Sequence, residues 1–132
     1  MFRKERLKTY CEAHPGLLVG LDIGSTTAKI VVVEDGEILF QKYERHFSQV
    51  RQKAVELTRD AESWLKGRTF TASISGSAGL GLAKAAGLPF VQEVFATGQV
   101  VEVLEPDTDV VVELGGEDAK VIFFRGGMDE RM

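Results

Sequence analysis

The sequence predicts an α/β fold built on a mixed sheet, and three observations predict it. Three β-type runs open the chain, at residues 17–23, 28–34 and 38–43, and the last two are joined by Asp35-Gly36, the strongest short hairpin signal. From Phe47 the apolar residues change to three- and four-residue spacing, and strands then alternate with helices, an order that implies parallel pairing. Finally, 14 glycines among 132 residues exceed the usual ~7% and stand where apolar runs stop. Glycine at a strand end permits positive φ and lets a backbone approach a ligand closely, so the pattern is that of a fold that binds across its strand ends.

The elements follow in order. Residues 1–16 form a basic leader in which Arg3, Lys4, Arg6 and Lys8 outweigh Glu5. Four cations without aromatic stacking partners do not make a nucleic-acid or membrane site, so this segment is expected to be a solvated start. The run Leu17-Leu18-Val19-Gly20-Leu21-Asp22-Ile23 is a buried strand ended by Gly24-Ser25, and 28–34 is a β-branched partner. With the third run, through Ile38, Phe40 and Tyr43, it makes three antiparallel strands. A helix over 48–66 carries Phe47, Val50, Ala54, Leu57, Ala61, Trp64 and Leu65 on or beside its apolar stripe, with Ser48 to cap its start, Gly67 to end it and Trp64 as core. A strand at 70–75, a short helix at 80–86 stopped by Gly87 and Pro89, a strand at 90–92 and a helix at 93–104 complete this unit. After Pro106 the strands 110–114 and 119–124 form a terminal hairpin, expected to pair with a neighbouring chain or a free sheet edge.

Composition narrows the class. The net charge of −4 and 44% hydrophobic content are those of an ordinary globular chain with about one domain's worth of residues. One cysteine, Cys11, cannot form an internal disulfide and fits a reducing compartment. No apolar run approaches the ~18 residues that span a bilayer. The expectation is a cytoplasmic protein that meets neither membrane nor nucleic acid.

The chemistry concentrates in the glycine turns. In Asp22-x-Gly24-x-Thr26-Thr27, backbone N–H groups and hydroxyls of a Gly/Ser/Thr turn can converge on an anion, and Lys29 follows closely enough to add positive charge. A carboxylate beside such a cradle suits Mg²⁺, which takes one or two carboxylates and keeps several waters. The plain alternative is a polar hairpin turn. Against it, Asp22-Ile-Gly-Ser-Thr-Thr-Ala-Lys29 is echoed by Glu113-Leu-Gly-Gly-Glu-Asp-Ala-Lys120, a weak internal duplication. The second copy stops without a helix, which suggests a fragment of something longer. Gly76-Ser-Ala-Gly79-Leu-Gly81 is neither a Walker A loop, since Leu82 and Ala83 stand where Lys and Ser/Thr belong, nor a dinucleotide fingerprint, since its glycines fall in the wrong order. It is a candidate cleft-facing turn or a purely structural one. His14 and His46 lack any metal-ligand spacing, Cys11 is an incidental thiol, and Asp107 and Asp109 are solvated.

These motifs resemble a known group. Asp22–Lys29 is similar to the first phosphate motif of the sugar-kinase, actin and heat-shock-chaperone ATPase superfamily, and Glu113-Leu-Gly-Gly-Glu-Asp118 to its second. Within it, Pro89-Phe-Val-Gln-Glu-Val94 and Gly-Gly-Glu-Asp-Ala-Lys120 look like the activator ATPases of 2-hydroxyacyl-CoA dehydratases and benzoyl-CoA reductases, over residues 17–127. The resemblance implies an RNase H-like half with sheet order 3-2-1-4-5, spanning 17–106, and a truncated second half beginning at 107–132. It implies ATP and Mg²⁺ as cofactors, with a [4Fe–4S] cluster in the full-length protein only, a homodimer there, and an acyl-CoA dehydratase or reductase component as partner. Asp22 would hold Mg²⁺ through its water shell; Gly24, Ser25, Thr26 and Thr27 would supply phosphate-binding groups and Lys29 a countercharge. Glu113, Gly115, Gly116, Glu117 and Asp118 would face them. Glu93 would face the attacking water, or else be a plain helix N-terminal acid. Glu113 departs from the group's usual Asp, which argues against direct metal contact. The alternatives are a sugar or acyl-group kinase of the same superfamily, or a non-catalytic interaction module. The segment alone is expected to be inactive as a redox ATPase.

Overall fold

The computed structural model describes residues 3–115 and 119–124, and the backbone of 128–131. The opening strands β1 (Leu17–Ile23), β2 (Thr27–Glu34) and β3 (Glu37–Arg45) are antiparallel neighbours. Then come α2 (Val50–Asp60), α3 (Glu62–Leu65), β4 (Phe70–Ser75), α4 (Leu80–Ala86), β5 (Phe90–Val91) and α5 (Glu93–Leu104). Strands β4 and β5 run parallel to β1, and the sheet has the order β3-β2-β1-β4-β5. This is the RNase H-like mixed sheet in the order 3-2-1-4-5 that the sequence led us to expect.

Alternation decides the layers. Leu17, Val19, Leu21 and Ile23 of β1 and Ala28, Ile30 and Val32 of β2 are buried, and they pack with Ala54 and Leu57 of α2, Ala61, and Leu65 of α3. A side-chain period of two puts all these strand residues on one face, against the helix stripe. The other face carries Gly20, Asp22, Lys29 and Val31, which are only partly covered. The Asp35-Gly36 turn has positive φ at both residues, 51° and 83°, as a tight hairpin requires.

The structure adds to some expectations and changes others. The basic leader is helical: residues Arg3–Ala13 form α1, in which Arg3, Lys4 and Lys8 are exposed while Cys11 is buried to 2% exposure, and which contacts α5. Its pattern has almost no amphipathic signal, so only the docking of a single small apolar side chain reveals it. The helix predicted over 48–66 is two helices that meet at Ala61. Ser48 does not cap it; Gln49 is the N-cap residue, without a side-chain cap, because Phe47 and Ser48 take positive φ (49° and 64°) in a turn before the helix. Trp64 is 40% exposed, at the margin of the Leu57-Ala61-Leu65 stripe, and Phe47 is 72% exposed in the turn. The terminal hairpin of β6 (Val110–Leu114) and β7 (Ala119–Phe124) does not extend the first sheet; β7 pairs instead with β8 (Met128–Arg131) to form a separate sheet β6-β7-β8. No helix among the described residues is long and apolar enough to cross a membrane.

Candidate functional site

The register of the first sheet assembles a row of polar side chains that sequence spacing alone does not. Asp22 at the end of β1 lies opposite Lys29 of β2 and, on its other side, opposite Ser75 of β4. Lys29 in turn lies opposite Tyr43 of β3. The row Tyr43, Lys29, Asp22, Ser75 therefore crosses four strands on one face. Lys29 Nζ donates to Asp22 Oδ2 at 2.9 Å and sits 5.2 Å from the centre of the Tyr43 ring, a cation–π contact. Ser75 Oγ donates to Asp22 Oδ1 at 2.9 Å. Both carboxylate oxygens are thus oriented, while about a third of the side chain stays open to solvent (38%).

The turn after β1 presents backbone donors that could receive an anion. Gly24 N–H donates to the Thr27 carbonyl at 2.9 Å, closing a tight turn. Among the described residues, the N–H groups of Ser25 and Thr26 donate to no protein acceptor. Gly24 does not owe its identity to a strained backbone: a Cβ there would stand 3.7 Å from the Thr27 carbonyl, an ordinary contact. The strain expected of the glycine turns falls on Gly76 instead, whose φ is +100° and whose added Cβ would lie 2.1 Å from the Ile23 carbonyl oxygen. That carbonyl accepts the N–H of Ala78 at 2.9 Å, so the β4–α4 turn is stitched to the end of β1 and delivers Ser77 to the cleft. The undecided Gly76 turn is cleft-facing.

The second sheet faces this turn. In β6 and β7, Glu113 lies opposite Lys120, the same register relation as Asp22 to Lys29. The internal duplication is therefore structural. Between the two hairpins lies a cleft of 450 Å³ lined by Asp22, Gly24 to Thr27, Lys29, Tyr43, Ser77, Glu93, Glu113, Leu114, Gly115 and Lys120. Of the residues singled out from the sequence, Asp22, Gly24, Ser25, Thr26, Thr27, Lys29, Glu93, Glu113 and Gly115 come together here. Gly116, Glu117 and Asp118 lie outside the described residues.

Within the cleft the hairpin charges have partners. Glu93, at the first turn of α5, accepts from Lys120 Nζ at 2.6 Å, and Thr97 one turn later donates to Glu113 Oε2 at 3.4 Å. Helix α5 thus holds the second hairpin through Glu93 and Thr97. Sequence reasoning missed Ser75, Ser77, Tyr43, Thr97 and Lys120 as lining or second-layer groups. Of these, Lys120 alone carried a signal, as the duplicate of Lys29.

A metal fits this site in one way only. Among the described residues no three His, Cys, Asp or Glu side chains cluster. One oriented carboxylate among hydroxyls and N–H groups suits Mg²⁺ that arrives with a phosphate ligand and keeps most of its water, rather than a cage of protein ligands. An iron–sulfur cluster does not fit these residues: four thiolates are needed, and the chain holds one cysteine, buried in α1.

Comparison with known proteins agrees with the fold. No family model matches the chain. A protein of Methanocaldococcus jannaschii, itself described only as uncharacterized, is 27% identical over 107 residues, covering 80% of this chain and 42% of that protein. The activator of 2-hydroxyisocaproyl-CoA dehydratase from Clostridium difficile, solved with bound ADPNP, superposes with a TM-score of 0.68 at 20% identity, over 88% of this chain and 46% of that one. Component A of (R)-2-hydroxyglutaryl-CoA dehydratase from Acidaminococcus fermentans gives 0.71 at 20% identity, over 87% and 47%. The ethanolamine utilization protein EutJ from Carboxydothermus hydrogenoformans gives 0.61 at 19%, over 89% and 52%. The chain thus spans about half the length of the relatives it matches.

Proposed function

We propose that this chain is the phosphate-gripping part of an ATPase, taking the phosphates of Mg-ATP between the Gly24–Thr27 turn and the β6–β7 hairpin. The observation that carries this reading is the pair of matched registers, Asp22 with Lys29 and Glu113 with Lys120, facing one another across a single 450 Å³ cleft. Two acid–lysine hairpins around unpaired turn amides form a clamp for a polyanion with a divalent cation.

Each group has a role in this reading. The N–H groups of Ser25 and Thr26, with the hydroxyls of Ser25, Thr26 and Thr27, hold phosphate oxygens, and Lys29 neutralises their charge. Asp22, held by Ser75, orients the water shell of Mg²⁺, and the metal supplies charge neutralisation when bound. Glu113 and Gly115 close on the phosphates from the second hairpin, and Gly116, Glu117 and Asp118 are assigned to the same motif by sequence alone. Glu93, once Lys120 turns to phosphate, faces the position of an attacking water. Residues 17–106 are then the first half and 107–132 the opening of the second.

The motif wording Gly115-Gly116-Glu117-Asp118-Ala119-Lys120 favours an activator of acyl-CoA dehydratases or reductases over a kinase of the same superfamily. In that role the nucleotide cycle of the whole protein, a homodimer, would serve electron delivery to a dehydratase or reductase component, with the cluster cysteines lying outside this segment. The test is a titration of the ¹⁵N-labelled chain with Mg-ADPNP. Shifts confined to the amides of residues 24–27 and 113–115, with a dissociation constant on the order of millimolar because much of the nucleotide stays solvated, are expected. Unmoved turn amides at saturating probe would refute it.

A further inference from the structure

The mechanism above leaves one buried polar side chain without a role. His46, 3% exposed, is the buried polar or charged residue among those described, and it stands between β3 and α2, behind the phosphate turn. Its ring spans two chain segments: Nδ1 accepts the N–H of Ser48 at 3.0 Å, and Nε2 lies 2.8 Å from the Gly24 carbonyl oxygen. An Nδ1 that accepts a hydrogen bond carries no proton, so the ring proton is on Nε2 and is donated to Gly24. The His46 backbone adds a second tie, donating its N–H to the Thr26 carbonyl at 3.1 Å. His46 therefore grips two alternate carbonyls of the turn, Gly24 and Thr26.

From these contacts we infer that His46 is a positioning residue for the anion-binding turn, setting the direction of the N–H donors that meet phosphate. This inference rests on the nucleotide-phosphate reading of the cleft. The physical step is the planarity of the trans peptide, in which C=O and the following N–H point in opposite directions. Fixing the Gly24 carbonyl toward His46 fixes the Ser25 N–H away from it, and the bond to the Thr26 carbonyl anchors the far end of the same turn. The cleft is lined by Gly24 to Thr27 and not by His46, so the side opposite His46 is the ligand side. Donors that are already aimed lose less freedom when an anion binds, which is where the affinity gain arises.

The surroundings support a role beyond filling space. The chain reaches this arrangement through two successive non-glycine residues at positive φ, Phe47 (49°) and Ser48 (64°), closed by the Gln49 N–H on the His46 carbonyl at 2.7 Å. Such conformations are unfavourable for L residues and persist where the surrounding contacts over-determine them. Here the turn brings the Ser48 N–H to Nδ1 and so selects the tautomer that can donate to Gly24. An apolar side chain of similar size would fill the same volume without either bond.

The experiment separates positioning from packing with two substitutions. His46→Gln places an amide N–H near the position of Nε2 and keeps a donor for Gly24, whereas His46→Met has the same length and no donor. Both remove the ring and fill a similar volume, so a packing role does not favour Gln. We expect His46→Met to bind Mg-ADPNP about tenfold more weakly than the unaltered chain, with raised mobility of the Ser25 amide, and His46→Gln to bind within about twofold. Equal binding by all three chains overturns the role of His46 while leaving the phosphate site intact. Failure of the unaltered chain to bind Mg-ADPNP at residues 24–27 overturns the phosphate reading, and the positioning role with it. Independently of any variant's folding, ¹⁵N spectra of the His46 ring must show the Nε2–H tautomer; the Nδ1–H form would also overturn it.

Discussion

Replacing Asp22 by Asn reverses sign with the metal, and this makes it the most informative perturbation of the cleft. The Asn keeps an oxygen for the Ser75 hydroxyl, which now donates to an amide carbonyl, so the β1–β4 link survives. What it removes is one negative charge, 2.9 Å from Lys29 Nζ, at the wall of the phosphate cleft. Without Mg²⁺, that charge repels a triphosphate and occupies Lys29. At about 5 Å from a phosphate oxygen, the repulsion is about 1 kcal/mol in water-like surroundings and about 3 kcal/mol at an effective dielectric of ~20. The carboxylate is 38% exposed, so the lower figure governs. Free ATP should therefore bind Asp22→Asn about fivefold more tightly than the unaltered chain. With Mg²⁺ the ordering should invert, because the variant would lack the carboxylate proposed to orient the metal's water shell, a charge-assisted contact whose loss would cost about 1.5–3 kcal/mol, or about tenfold or more in affinity. Titrations followed by the turn amides, with and without Mg²⁺ at fixed ionic strength, read both arms. A change of the same sign in the two conditions would show that Asp22 does not meet the metal.

Three further outcomes follow from particular contacts. Gly76→Ala should lower stability by about 3 kcal/mol, since it adds a Cβ 2.1 Å from the Ile23 carbonyl at a φ of +100°; a urea denaturation midpoint that implies less than about 1 kcal/mol would mean that the β4–α4 turn adjusts freely. Glu56, bonded to Lys53 at 2.7 Å, has its carboxyl held below the ordinary value of 4.5 chiefly by that lysine's hydrogen bond. A carboxyl lowered in the folded state stabilises above its unfolded value and loses that contribution as pH falls through the folded one, so Glu56→Gln should flatten the acid limb of the stability profile; coincident profiles between about pH 3 and 6 would contradict it. Anaerobic reconstitution of the 132-residue chain should give no stoichiometric iron or acid-labile sulfide, because its one cysteine is buried in α1; stoichiometric iron would show that Cys11 has a ligand role.

Local order was legible in the sequence wherever one residue type has one physical meaning. Asp35-Gly36 marks a hairpin because both turn residues need positive φ, and both have it. Gly87, at φ +69°, ends α4 as a left-handed C-cap, with the Leu88 N–H returning to the Ala83 carbonyl. The period change at residue 47, the glycine stops and the echo of Asp22–Lys29 in Glu113–Lys120 together determined the mixed sheet, its antiparallel and parallel parts, and the two acidic glycine turns at the cleft. Those signals are short-range, and a chain displays them before it folds.

What only the tertiary structure decided are relations across strands and between elements. That Ser75 orients Asp22 is a consequence of the parallel register of β1 and β4, fifty-three positions apart. That Gly76, rather than Gly24, bears the backbone strain follows from the close pass of the β4–α4 turn over Ile23. Helix α1 has no periodic apolar face to announce it and exists by docking Cys11 against its surroundings. His46 looks like any isolated histidine until the strained Phe47-Ser48 turn swings Ser48 onto its ring and aims the opposite nitrogen at Gly24. In each case the deciding quantity is a distance between residues remote in sequence or a dihedral set by packing, and neither is written in any local run of side chains.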